Sequence, residues 1–119
     1  MSPRSRSGHA EKRRAHAPIF AALGDTTRLA LVRRLSLGET CSIAQLTEGS
    51  PLTRQAITKH LRVLEHVGIV RGVRCGRESR FEFNPEPIHE ARGYLELVSE
   101  QWDRTLARLK AFVEDKSST

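Results

Sequence analysis

The chain is poor in cysteine and has no long hydrophobic run. Its two cysteines, Cys41 and Cys75, are separated by 33 intervening residues and form no CxxC pair, which excludes a disulfide framework. No segment approaches the ~18 apolar residues that span a bilayer. The basic N-terminal residues are not followed by the hydrophobic segment of a secretory signal. These absences lead us to expect a cytoplasmic protein.

Catalytic and cofactor-binding motifs are also missing from the sequence. It contains no HExxH, GxSxG or phosphate-binding loop, and its acidic residues are spread along the last predicted helix. A single domain of 119 residues leaves little room for the large cleft of an enzyme. We therefore expect no enzymatic activity and no cofactor.

Positive charge is present in excess and is concentrated in two places. The net charge is +6. Residues 1–16 hold five basic residues and one acidic residue, and residues 53–80 hold seven basic and two acidic ones. This distribution is typical of proteins that bind a polyanion, although a solvated face beside a basic arm would give the same count.

The basic N-terminal stretch and the rest of the chain form two predicted regions. Residues 1–16 are rich in serine and arginine and have almost no large apolar side chain, which predicts a disordered tail. Order is predicted from residue 17 to residue 116, beginning with a short helix near Pro18 that Gly24 ends.

Three further helices are predicted before residue 68, each opened by a side chain that suits a helix N-cap. The caps are Asp25, Ser42 and Thr53, and Gly68 ends the last of the three helices. The third and fourth helices are short and are joined by a turn containing Gly49 and Pro51. Two helices in this arrangement, with the second one basic on its outer side, predict a helix-turn-helix.

The fourth helix has an apolar stripe and an opposite face rich in hydrogen-bond donors. An α-helix fits the major groove of DNA, and the side chains of its first turns reach base edges. Arg54 can donate two hydrogen bonds to guanine, Gln55 can pair with adenine, and Thr58 suits several bases. Lys59 and Arg62 are predicted to lie where phosphates flank the groove. Thr53, the N-cap of this helix, also belongs to the predicted DNA-binding residues.

The period of the sequence changes after Gly68 to that of a β-hairpin. The segments IVRGVRC and SRFEF are strand-like, and the turn between them begins with Gly76. A hairpin beside a helix-turn-helix is typical of a winged fold. Its arginines are predicted to contact the DNA backbone or the minor groove, namely Arg74, Arg77 and Arg80.

One long helix is predicted from about residue 86 to residue 116. Its apolar positions are spaced by three and four residues, close to a heptad repeat. A helix of this length can fold back over its own core, but the more economical partner is the same helix of a second copy. The residues predicted at the dimer interface are Leu95, Val98, Trp102, Leu106 and Leu109.

In this order the motifs resemble the ArsR/SmtB family of winged helix-turn-helix repressors. The family pattern is matched by FAALGDTTRLALVRRL, by LTRQAITKHLRVLEHVGIV, and by the wing segment RCGRESRFEF, in which Phe81 takes the place of a tyrosine. The resemblance implies a mostly helical α-α-α-α-β-β-α homodimer that binds double-stranded DNA at inverted half-sites and usually represses transcription. It also places Arg54, Gln55, Thr58 and Lys59 at DNA-contacting positions.

The sequence departs from the family's metal-sensing members. At the two positions where those proteins carry thiolate ligands, this chain has Ser42 and Ala44, and Cys41 comes one position early. The other family site needs aspartate and histidine pairs on the last helix, but residues 90–116 contain no histidine. We therefore expect no metal site.

Two other functions compete with plain sequence-specific DNA binding. Cys75, between Arg74 and Arg77, could form a thiol redox switch with Cys41, although their predicted positions would require a large movement for direct pairing. Alternatively, the chain could be a helical module that binds another protein through its basic stretch. Selective retention of duplex DNA distinguishes a regulator from such a module.

Overall fold

The structure is a computed structural model that describes residues 3–117, with side chains described over residues 10–115. It confirms the mostly helical winged helix-turn-helix. The elements in chain order are α1 (Pro3–Leu23), α2 (Thr26–Leu35), α3 (Ile43–Thr47), α4 (Arg54–His66), β1 (Val70–Cys75), β2 (Glu78–Phe83) and α5 (Glu86–Ser117).

The N-terminal region differs from the prediction. Residues 3–16, expected to be disordered, belong to α1, which continues through Pro18 to Leu23, and residues 1–2 lie outside the described part. Alanine, arginine, lysine and glutamate between residues 10 and 17 are good helix formers, which composition-based reasoning about disorder overlooked. The helix also has a tertiary partner, because the His16 ring lies 5.1 Å from the Tyr94 ring of α5.

The three predicted N-caps are confirmed. The Asp25 carboxylate accepts a hydrogen bond from the Arg28 backbone N–H, and the Thr53 hydroxyl accepts one from that of Ala56. Ser42 forms a capping box, in which its hydroxyl accepts from the Gln45 N–H and the Gln45 side chain accepts from the Ser42 N–H. Each helix therefore begins where its capping side chain satisfies an otherwise unpaired donor.

The end of α4 determines where the hairpin starts. Gly68 has a φ of +82°, and its N–H donates to the Glu65 carbonyl while the N–H of Ile69 donates to the Leu64 carbonyl. These two bonds form a Schellman motif, which a glycine at this position favours. Ile69 is fully buried directly after it, so the chain enters β1 already anchored in the core.

The two strands form an antiparallel hairpin that is attached to the helical body by one face. Val70 pairs with Phe83 at the base, and Cys75 pairs with Glu78 beside a two-residue turn. A bridge between Cys41 and Phe81 joins the other edge of β2 to the segment before α3. The base of the wing is therefore held on both sides, whereas its tip extends into solvent.

The core lies between α2, α4 and the base of the hairpin. Leu61 and Leu64 of α4 have no exposed surface, and Leu35 of α2 is 1% exposed. The first turns of α5 join this core through the buried Ala91 and the partly buried Ile88. This packing holds α4 so that its opposite face is directed away from the domain.

The second half of α5 lies outside the hydrophobic core. Every residue from 99 to 115 is exposed, a length of about 25 Å. The alternative in which this helix folds back over its own core is therefore not observed. No helix in the described part of the chain is apolar enough over a sufficient length to cross a membrane.

Candidate nucleic-acid interface

The fourth helix has the two faces that its sequence predicts. Ile57, Leu61 and Leu64 are buried on one side. The opposite side carries side chains that are exposed, except for the half-buried Thr58. Since an α-helix brings every third or fourth residue to the same face, these outward side chains form one continuous strip. They are Arg54, Gln55, Thr58, Lys59 and Arg62.

The N-terminal half of this strip is a shallow surface depression. Arg54, Gln55, Thr58 and Lys59 line it together. The Thr58 hydroxyl donates to the Arg54 carbonyl at 2.7 Å, so its oxygen is held close to the helix. The Thr53 hydroxyl oxygen accepts the capping bond and therefore keeps its proton available for a phosphate oxygen. These residues together give the start of α4 an open surface rich in hydrogen-bond donors.

The C-terminal half of the strip carries less free charge. The Arg62 guanidinium lies 2.7 Å from the Glu65 carboxylate, one turn along the helix. The pair is exposed, so it contributes little to stability, but it partly neutralises the Arg62 charge. We therefore assign the stronger attraction for DNA to the first two turns of α4.

The tip of the wing presents Arg77 to solvent. Gly76 has a φ of +65°, as a two-residue hairpin turn with glycine first requires, and Arg77 follows it fully outside the domain. Arg74 is also exposed and pairs with Ser79 in the hairpin register. In the described part of the chain neither arginine has an ion-pair partner.

The position of Arg80 differs from the one predicted. It is half-buried and pairs with Val73, and because side chains alternate along a strand it lies on the opposite face of the hairpin from Arg74. Its guanidinium donates to the carbonyl and hydroxyl of Thr40, both at 3.3 Å, and to Glu78 at 3.2 Å. Arg80 thus connects the wing to the loop before α3 and is the weakest member of the predicted DNA-binding set.

Ion pairs within the domain reduce the number of basic side chains that are free to bind a polyanion, compared with the seven basic residues counted in residues 53–80. Besides Arg62 and Arg80, Arg71 is also neutralised, by Glu82 directly opposite it in the hairpin. Within residues 53–80, the lysine and arginine side chains without an ion pair all lie in the first turns of α4 or near the wing tip. They are Arg54, Lys59, Arg74 and Arg77.

A charged junction that sequence reasoning missed connects α4 to the start of the domain. Arg28 donates from Nε to the Ala22 carbonyl at 2.6 Å and from NH2 to the Ala21 carbonyl at 3.4 Å. Its NH1 lies 3.3 Å from His60 Nδ1, which is also 3.7 Å from the Asp25 carboxylate. His60 thus makes its polar contacts within the domain. No spacing rule links these residues, because their partners are distant in sequence.

The Asp25 carboxylate at this junction should make the stability of the folded protein depend on pH. The hydrogen bond from the Arg28 backbone lowers its pKa below the ordinary value of 3.8, and the charges of Arg28 and His60 act in the same direction. A lowered pKa stabilises the folded state above pH 3.8, and this contribution is lost as the pH falls through the folded-state pKa. Asparagine caps a helix without a charge. We expect the difference in melting temperature between Asp25→Asn and the parent protein to be largest near neutral pH.

That difference should shrink as the pH approaches 3, when measured by circular dichroism at constant ionic strength. Asp25→Ala is the control, because it removes the cap as well as the charge and should remain less stable at every pH. A difference between the asparagine variant and the parent that stays constant with pH would contradict the electrostatic assignment.

The side chains predicted at a dimer interface form an exposed apolar stripe on α5. Leu95 is 51% exposed and Trp102 is 60% exposed. The stripe continues through Leu106 and Leu109, and only Val98 is partly covered. Monomeric proteins rarely expose a contiguous apolar surface of this extent. In a single chain this stripe is therefore left open to solvent along α5.

The two cysteines lie apart in the structure. Cys41 is buried and bridges to Phe81, whereas Cys75 is exposed and pairs with Glu78. Phe81 and Glu78 are three residues apart on one strand, about 10 Å. A disulfide needs Cα atoms within about 7 Å, so pairing inside one chain would require rearrangement of the wing. Among the described residues no cluster of His, Cys, Asp and Glu could hold a metal ion.

Known proteins resemble this chain over the same helices and strands. Residues 23–73 match the family model described as a helix-turn-helix domain. The chain is 39% identical over 85 residues to an uncharacterised HTH-type transcriptional regulator, YuzN, of Bacillus subtilis strain 168, covering 66% of this chain and 92% of that protein.

Solved structures show the same likeness over nearly the whole chain. An ArsR-like transcriptional regulator from Rhodococcus sp. RHA1 superposes with a TM-score of 0.81 at 34% identity, covering 89% of this chain and 96% of that one. A homodimeric winged helix-turn-helix DNA-binding domain, Mb0332 from Mycobacterium bovis, has a TM-score of 0.58 at 19% identity, with 89% and 91% covered. The latter likeness is one of fold.

Proposed function

This chain belongs to the ArsR family of helix-turn-helix transcriptional regulators, and from that premise we propose that it is a repressor that binds an inverted-repeat operator as a homodimer. DNA binding and regulation of transcription follow from the family. Repression, the operator and the assembly are proposals. The observation that carries them is the coexistence in one chain of a free cationic strip on α4 and an uncovered apolar stripe on α5.

The strip on α4 supports binding in the major groove. Arg54 and Gln55 lie in the first turn, where the side chains of a recognition helix meet base edges. Lys59 and the wing arginines Arg74 and Arg77 are exposed cations that can contact flanking phosphates. Base pairs are thus read by the first turn of α4, and the wing sets the register on the backbone.

The stripe on α5 supports pairing with a second copy. A two-fold axis along this helix brings each apolar side chain against its counterpart and removes both stripes from water. The two recognition helices then meet half-sites about one helical turn apart, ~34 Å, or a multiple of it. Because both must fit the duplex at once, a change in their relative pose would regulate binding.

A cytoplasmic location and the absence of enzymatic activity belong to the same proposal. A repressor acts by occupying DNA, and no step of this mechanism requires a catalytic group or a cofactor. The competing function is a module that binds another protein through the basic stretch. The position of Arg54 and Gln55 in the first turn of α4 supports contacts with base edges and does not favour such a module.

The proposal is tested by selecting bound fragments of the host genome with the purified protein and sequencing them. We expect enrichment of a short inverted repeat, and tight binding to it in fluorescence anisotropy. A scrambled duplex of equal length and composition is the control. Failure to prefer any genomic fragment over this competitor would contradict sequence-specific regulation.

The salt dependence of operator binding provides a second, quantitative test. With about six to eight phosphate contacts per dimer, the logarithm of the association constant should fall with log salt at a slope of about −5 to −7. Affinity then drops roughly 10³–10⁴-fold between 50 and 200 mM salt. A slope near zero would show that the exposed cations of α4 and the wing do not neutralise phosphates.

A further inference from the structure

A second surface feature, the α1–α4 groove, lies between the C-terminal half of α1 and the flank of α4. It has a volume of about 480 Å³, within the range of sites that hold small molecules, and it is open to solvent. Val63 in its floor is 40% exposed, although it is a large apolar residue on a packed helix. The floor is formed by Pro18, Ala21, Ala22, Val63 and Val67.

The charge of the groove is of one sign. Arg28, Arg62 and His66 line it, and none of its lining residues is acidic. Arg62 is paired with Glu65, but no carboxylate forms an ion pair with the Arg28 guanidinium among the residues that the structure describes. The Asp25 carboxylate is near enough for the charge of Arg28 to lower its pKa, but it forms no ion pair with the guanidinium. An apolar floor with a guanidinium at its end complements a ligand that carries both hydrocarbon and one negative charge.

Arg28 retains the donors that such a ligand needs. A guanidinium has five N–H groups, and this one uses three of them, on the Ala22 carbonyl, the Ala21 carbonyl and His60 Nδ1. Two N–H groups remain for an acceptor from outside. A planar carboxylate fits the guanidinium better than a neutral oxygen does, because charge-assisted hydrogen bonds are stronger.

We propose that the α1–α4 groove binds a small amphipathic monocarboxylate. Its hydrocarbon part lies on the floor beside Val63 and Val67, and its carboxylate accepts hydrogen bonds from Arg28. The longest contacts of Arg28, 3.4 Å to Ala21 and 3.3 Å to His60, are the ones that a new acceptor would displace.

The position of the groove connects its ligand to the recognition helix. Val63, His66 and Val67 belong to the last turns of α4, and His60 receives the Arg28 contact from the preceding turn. A ligand that pulls Arg28 away from His60 therefore loosens α4 from the corner between α1 and α2. This regulatory step rests on the proposed function, and we expect it to lower operator affinity by about 5–150-fold.

Octanoate is a suitable probe, titrated into the full-length protein without DNA by isothermal calorimetry. We expect saturable binding of one octanoate per chain, and at least tenfold weaker binding of 1-octanol, which has the same hydrocarbon but no charge. Val63→Glu should abolish octanoate binding, since it places a second carboxylate in the groove at an exposed helix position. Leu29→Glu is the matched control, because Leu29 is 50% exposed on α2 outside the groove and should leave binding unchanged.

The other possible results would contradict the site, the proposed repressor or the regulatory step. Absence of octanoate binding, equal affinity for 1-octanol, or unchanged binding to Val63→Glu would overturn the site. A change of molar mass in Val63→Glu would also overturn it, because the groove would then be covered by a second copy. Octanoate binding without any operator binding would refute the repressor and leave the site standing. Binding of both with unchanged operator affinity would overturn only the regulatory step.

Discussion

Trp102→Glu should convert the homodimer to a monomer and lower its affinity for the operator on the order of 100-fold, or about 2.7 kcal/mol. Trp102 lies in the middle of the exposed stripe of α5, and it is 60% exposed in a single chain. A carboxylate at this position would have to be buried against its own symmetry mate, which brings like charges together in an apolar interface. The isolated domain does not depend on Trp102 for its own packing, so the variant should still fold.

Light scattering coupled to size exclusion measures the assembly, and fluorescence anisotropy measures operator binding. Arg104→Glu is the matched control, since Arg104 lies on the same helix on the side opposite the stripe and is equally open to solvent. We expect this control to remain dimeric. A Trp102→Glu protein that keeps the dimer mass would show that another surface forms the interface.

Arg54→Ala and Gln55→Ala should relax the sequence preference at particular base pairs, each by about 1–3 kcal/mol. Both side chains are exposed in the first turn of α4, and neither has a partner that would hold it to the domain in the described part of the chain. A bidentate pair lost at one base edge makes the correct and incorrect bases nearly equivalent at that position. The measurement is a selection from a randomised operator library, repeated with each variant.

Two arginine variants separate base contacts from charge alone. Arg77→Ala at the wing tip should weaken binding to all duplexes about equally, because phosphate contacts carry no sequence information. Arg33→Ala removes the same charge from the exposed side of α2, away from the strip, and should have little effect. If Arg77→Ala changed which operator is selected, the assignment of the wing to the backbone would be wrong.

Local sequence patterns predicted the outward strip of α4 and the starts of α2, α3 and α4. The outward face of α4 follows from helical spacing, since Ile57, Leu61 and Leu64 can be buried together only if Arg54 and Lys59 point away. Capping side chains are equally local, because each bonds to a backbone group three residues on. These features need no knowledge of the tertiary fold.

Long side chains with distant partners were beyond such reasoning. Arg80 reaches Thr40, forty residues earlier, and Arg28 reaches His60, thirty-two residues later. A guanidinium can extend in several directions from the same backbone position, so its endpoint depends on which acceptors the fold brings near. The alternation of side chains along a strand gives the face on which Arg80 lies, but it does not show that Thr40 is close to that face.

The start of α1 was missed for a related reason. Composition reports whether a segment has enough apolar side chains to fold alone, and residues 3–16 have few. Helix formation there continues from the apolar residues Ile19 and Ala22, which are buried, and the contact between His16 and Tyr94 adds a partner. A helix that is propagated from an anchored end does not need its own nucleus.

In the proposed homodimer, the folding of the second half of α5 depends on the protein concentration. Residues 99–115 are exposed along their whole length, and an isolated helix of that length is only marginally stable in water. Dilution below the dissociation constant of the dimer should therefore unfold the second half of α5. The backbone amides of this segment should exchange with solvent much faster than those of Leu61 or Leu64. At low concentration, newly made chains would therefore have an unfolded C-terminal segment that proteases can cleave. The number of copies per cell would then affect the lifetime of the protein as well as its occupancy of DNA.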